Sequence, residues 1–87
     1  METMVDIEPQ IRNILAKHAR LGAGADISTL SASADLYQAG MTSQASVNVM
    51  LALEGEFDIE FPDELLKRSV FGSINAIRDA VAGIASI

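Results

Sequence analysis

Apolar residues recur along this chain at helical spacing, and no stretch alternates as a half-buried strand does. Ile7, Ile11, Ile14, Leu15 and His18 line one face of a helix expected over about residues 6–20. Asp6 and Glu8 suit its positive end, Pro9 suits its first turn, and Gly22 supplies a stop. A second helix is expected to begin at Thr42 or Ser43 and to run to about Glu56. Its buried face is read as Val47, Met50, Leu51, Leu53, Glu54 and Phe57, with Thr42 as N-cap and Gly55 weakening the last turn. Pro62 opens a short third helix through Asp63, Glu64, Leu65 and Leu66. A last helix starts near Ser73 and presents Ile74, Ile77, Val81 and Ile84. The expectation is an all-α, four-helix bundle with a long loop between helices 1 and 2 and a short helix 3.

That loop runs from Gly22 to Gly40 and is rich in small polar residues, among them Gly24, Ser28, Ser31, Ser33 and Asp35. Ile27, Leu30 and Leu36 can pin it to a core, so it reads as ordered. The expected core is Ile11, Ile14, Leu15, Leu36, Val47, Met50, Leu51, Leu53, Phe57, Leu66, Ile74, Ile77 and Val81. Residues 1–87 leave room for one domain only. A chain this short buries only about 60–65% of its unfolded surface, which makes a catalytic cleft hard to build. Small size favours a module on which other proteins act.

Charge narrows the partners. The formal net charge is −6, and the stretch Leu21 to Leu66 holds eight acidic residues with no lysine or arginine. All six basic residues lie outside it: Arg12, Lys17, Arg20, Lys67, Arg68 and Arg78. Such a surface repels phosphate backbones and anionic lipid, so neither nucleic acid nor membrane is expected as a partner. No apolar run approaches the roughly 20 residues that cross a bilayer. Met1 to Glu8 is acidic and unlike a signal peptide. Together with the absence of cysteine, this points to the cytoplasm.

Catalytic signatures are lacking: there is no Cys–His pair, HExxH, GxSxG or phosphate-cradling glycine loop. The single histidine, His18, reads as a packing residue of the first helix. Met50 reads as a core filler, and Met41, beside a helix start, as a residue facing a partner.

The segment Asp35 to Leu66, DLYQAGMTSQASVNVMLALEGEFDIEFPDELL, resembles the acyl carrier protein family. Counted from Ser43, the residues Val47, Leu53, Glu54, Glu56, Phe57, Pro62, Asp63 and Glu64 fall where that family's pattern places them. The resemblance implies that Ser43 carries 4′-phosphopantetheine, transferred from coenzyme A by a separate phosphopantetheinyl transferase. It implies further that the arm's thiol bears an acyl or aminoacyl group as a thioester, and that the chain presents cargo without catalysing anything. A helix N-terminus favours the phosphate installed there.

Departures from the pattern matter too. Thr42 replaces the family's usual aspartate, Gln44 its usual leucine, and the loop through Tyr37, Gln38, Ala39 and Gly40 is longer than in fatty-acid carriers. The surface after the serine, Gln44, Ala45, Ser46 and Asn48, is neutral. The resemblance is therefore to an aminoacyl or peptidyl carrier, loaded by an amino acid:carrier-protein ligase and acting as a monomer. Met41, Thr42, Gln44 and Val47 are the expected partner contacts, so Val47 is assigned both to the core and to this surface. The competing reading is an unmodified helical module that recruits a basic partner through its acidic face, Glu54, Glu56, Asp58, Glu60, Asp63 and Glu64.

Overall fold

The computed structural model describes residues 6–22 and 25–85, so residues 1–5, Ala23, Gly24 and the last two positions lie outside the described residues. Three α-helices make the frame: α1 (Glu8–His18), α2 (Ser43–Phe57) and α3 (Ile74–Ala85). Among the described residues there is no strand. The expected third helix is a single 3₁₀ turn at Asp63–Leu65, followed by a second 3₁₀ turn at Arg68–Phe71 that the sequence did not signal. The reason is local: Leu66 turns to φ −87, ψ 66, which is not helical, and closes the first turn after three residues.

Local chemistry accounts for each helix end. Asp6 accepts the Glu8 N–H at 3.0 Å, and Pro9 spends no donor in a turn whose N–H groups have no helical partner. At the other end it is Arg20, at φ 54, and not Gly22 that takes the left-handed conformation and ends α1. Thr42 caps α2: its backbone is extended and its side chain accepts the Ala45 N–H at 3.0 Å. Asp58, at φ 54, ends that helix one residue beyond the expected limit. Ser73 caps α3 by accepting the Ala76 N–H at 3.1 Å.

α1 packs against both α2 and α3, and α2 against α3. The core takes Ile11, Ile14 and Leu15 from α1, Ile7 and Ala19 from its two caps, and Ile74, Ile77 and Val81 from α3. From α2 it takes Ala45, Val49 and Leu53, an i, i+4, i+8 row. This corrects the expected face. Val47 is 50% exposed and Leu51 55%, because α2 is apolar nearly all round and its pattern does not select one phase. Leu66, at 48%, is likewise no core residue; Phe61 and Phe71 fill that space instead, with ring centroids 5.3 Å apart at 60°. Met50 and Phe57 are half-buried against the core.

The long loop is ordered where it is described. Leu36 is fully buried, and its N–H donates to Gly72 O at 2.8 Å. Asn75 N–H donates to Ala32 O. The Arg12 guanidinium donates to Ile27 O at 2.6 Å and Leu30 O at 2.8 Å, while Glu8 braces it from 2.9 Å. Arg78 reaches the same Glu8 at 3.4 Å, tying α3 to α1.

Candidate functional site

The loop ends in a constriction beside the start of α2. Gly22 N–H donates to Ala39 O at 2.9 Å. Gly40 sits at φ +119, where a Cβ would lie 2.3 Å from Gly22 N and 3.0 Å from its Cα. Only glycine satisfies both the dihedral and the approach. Met41 N–H then donates to Leu36 O at 3.0 Å, and the Met41 side chain is 3% exposed. Met41 therefore anchors the junction from inside; the expectation that it faces a partner is corrected.

Ser43 follows as the first residue of α2, exposed to solvent. Since Thr42 takes the capping role, the Ser43 hydroxyl is not needed for it. Its carbonyl accepts the Ser46 hydroxyl at 2.6 Å, which secures the first turn. Gln44 and Asn48 are exposed as expected, whereas Ala45, counted with that surface, is 3% exposed and belongs to the core.

Recesses flank this turn on both sides. One is bordered by Arg20, Thr42, Gln44 and Asn48. The other is a mostly apolar groove of about 340 Å³ between α2 and the second 3₁₀ turn, with Ser43 and Val47 on one wall and Lys67 and Arg68 on the other. The Arg68 guanidinium lies 3.8 Å above the Tyr37 ring centroid, linking that turn to the loop. Neither recess is lined by a carboxylate or a histidine among the described residues. What the described residues offer there is an exposed hydroxyl at a helix N-terminus, with Lys67 and Arg68 lining the same groove.

Those cations were not legible beforehand. A sequence stretch with no lysine or arginine is supplied with them in space, by Arg20 from the end of α1 and by Lys67 and Arg68. The supposed acidic face also divides. Glu54 is half-buried and accepts the Phe61 N–H at 2.9 Å, so it holds the turn after α2, while Glu56, Asp58 and Glu60 are exposed.

Residues 9–82 match the family described as a phosphopantetheine attachment site. The aminoacyl carrier protein of Agrobacterium fabrum is 55% identical over 71 residues, which is 82% of this chain and 83% of that protein. Two solved structures pair an engineered Bradyrhizobium japonicum glycine:[carrier protein] ligase with a carrier protein from Agrobacterium tumefaciens. The one with AMP matches at TM-score 0.80 and 51% identity, over 85% of this chain and 96% of that one. The one with ATP matches at TM-score 0.84 and 49% identity, over 91% and 100%. A solution structure from Agrobacterium tumefaciens matches at TM-score 0.70 and 49% identity, over 91% and 93%. The chain belongs to the phosphopantetheine-attachment family, as a carrier of covalently held 4′-phosphopantetheine and not an enzyme.

Proposed function

We propose that Ser43 is the attachment residue and that residues 1–87 act as a single carrier domain presenting an aminoacyl thioester. The observation that carries this is the exposed hydroxyl at the first position of α2, its capping duty taken by Thr42, within the matched residues. In the attachment step the Ser43 oxygen bonds to the pyrophosphate phosphorus of coenzyme A nearest the pantetheine. Adenosine bisphosphate leaves, and the hydroxyl proton passes to a base of the phosphopantetheinyl transferase, since no carboxylate or histidine lines either recess among the described residues. When bound, the arm supplies a thiol that forms the thioester.

The aminoacyl reading is supported by the 55% identical aminoacyl carrier protein and by the carrier proteins solved with a glycine:[carrier protein] ligase. A ligase of that kind would meet exposed Thr42 and Gln44 together with the apolar surface of Val47 and Leu51. The chain would work as a monomer in the cytoplasm; among the described residues no helix is long and apolar enough to cross a membrane. The test is intact mass after incubation with coenzyme A and a promiscuous transferase. Wild type should gain one phosphopantetheinyl group and Ser43→Ala none, with melting little changed. Attachment to Ser43→Ala would assign the arm elsewhere. No gain by wild type would favour the unmodified module with its acidic face.

A further inference from the structure

The smaller-scale chemistry of the other recess, where the end of α1 meets the start of α2, is uniform in sign. Arg20, Thr42, Gln44 and Asn48 border it, each able to donate a hydrogen bond and none of them anionic. Gln44 and Asn48 stand one helical turn apart on the same side of α2. Arg20 is exposed and lies one residue past the cap of α1. Its backbone is left-handed, at φ 54, where glycine is the usual occupant because a side chain is strained there. The helix dipole does not require this cation, since Lys17 and His18 already occupy the last turn of α1. Nor does an ion pair: Arg12 and Arg78 bond Glu8, whereas no carboxylate pairs with Arg20 among the described residues. Asp26, which lines the adjoining hollow with Arg20, is bonded instead to the Ser28 hydroxyl and N–H. The fold thus holds a guanidinium at a strained position, faces it with neutral donors, and gives it no anion of its own.

We propose that Arg20 is a selectivity residue of the carrier, pairing with an aspartate or glutamate that the amino acid:[carrier protein] ligase presents to this recess. The proposal rests on the aminoacyl reading above, in which such a ligase covers Thr42 and Gln44. Charge complementarity selects the occupant. The chain is −6 overall, and Glu56, Asp58 and Glu60 stand exposed at the far end of α2. A ligase lying along α2 therefore meets anions at one end of the helix and a cation at the other. An acidic group opposite Arg20 fixes the direction in which the carrier is bound. A partner whose surface is basic throughout would set a cation against Arg20 and be turned away. The geometry of the donors suits a carboxylate: the planar guanidinium can take both oxygens, and the Gln44 and Asn48 amides can donate to the lone pairs that remain.

The experiment measures aminoacylation of the full holo chain by a glycine:[carrier protein] ligase of the kind solved with the related carriers. Intact mass confirms the arm on every sample. Wild type is compared with Arg20→Lys, Arg20→Gln, Arg20→Gly and Arg20→Glu. Arg20→Gln and Arg20→Gly should raise KM for the carrier about two- to fivefold, the size expected of one exposed charge pair, with kcat unchanged. Arg20→Glu should raise it at least about tenfold through repulsion. Arg20→Lys keeps the charge but loses the planar fork, and should fall between wild type and Arg20→Gln. Added salt should narrow all of these gaps. Glycine adopts φ 54 without strain, so Arg20→Gly should melt no lower than wild type while its KM stays raised. KM values that match wild type across the set would overturn the proposal, as would Arg20→Glu loading as well as Arg20→Lys. Losses that follow the melting temperatures, or that fall on kcat alone, would overturn it too. Holo wild type that the ligase does not load at all removes the aminoacyl reading, and the pairing with it. Loading that is indifferent to the residue at position 20 removes the pairing alone.

Discussion

Two leucines two positions apart on α2 give a direct test of how the helix faces its neighbours. Leu53 is fully buried, whereas Leu51 is 55% exposed. Truncating Leu53 to alanine loses the transfer free energy of a buried side chain and leaves a cavity in the core. Together these amount to about 2.7–5 kcal/mol. Leu51→Ala forfeits only the buried part of its surface and leaves no cavity, so its cost should be about 0.5–1 kcal/mol. A chain of this length has roughly 4–13 kcal/mol of stability in all, and the first change removes a large share of it. With Tm falling about 4–8 °C per kcal/mol for domains of this size, Leu53→Ala should lower Tm by about 11 °C or more. Leu51→Ala should lower it by less than about 8 °C. Far-UV circular dichroism during heating and a urea midpoint measure both. Equal losses, or a larger loss for Leu51→Ala, would refute the assignment of Ala45, Val49 and Leu53 as the inward row.

Other changes separate structural from functional residues. Gly40→Ala should cost at least about 1–3 kcal/mol through its positive φ and its clash with the Gly22 backbone, and should slow arm attachment by displacing the junction; melting and timed mass spectra check it. Glu54→Ala strands the Phe61 N–H and should cost about 1.5–3 kcal/mol in urea, whereas exposed Glu56→Ala should stay within about 0.5 kcal/mol. The Ser28 hydroxyl, and then its backbone N–H, hold the Asp26 carboxyl below its usual pKa. A folded pKa below the unfolded one means that this stabilisation is complete above the unfolded value and fades as pH falls through the folded one. Ser28→Ala should therefore raise the Asp26 pKa toward the ordinary carboxylate value in a carbon NMR titration.

The helices could be read from the sequence because their ends are written locally. Thr42, Ser73 and the Asp6–Pro9 start each act within three residues of where they stand. The inward face of α2 could not, because Val47, Val49, Met50, Leu51 and Leu53 surround the helix and a small Ala45 holds the inner position. Only the neighbouring helices decide among those phases. Asp63 and Glu64 looked like a helix start, but Leu66 leaves the helical region before a second turn forms. For the site, Ser43 at the opening of α2 was legible, and the flanking cations were not. Arg68 meets Tyr37 across a separation of thirty-one positions that no local pattern encodes.

The constriction at Gly22 and Gly40 separates the geometry of the junction from the length of chain that precedes it. Gly22 N–H on Ala39 O closes the stretch between them into a loop whose two ends meet. Residues added at its exposed outer turn, around Ser28 and Thr29, need not move α2 relative to α1. Closing a loop twice as long costs only about 0.6 kcal/mol more. The outer turn is thus a place where sequence can be exchanged, for a reporter peptide or an affinity handle, while the serine stays in register with the helix it begins.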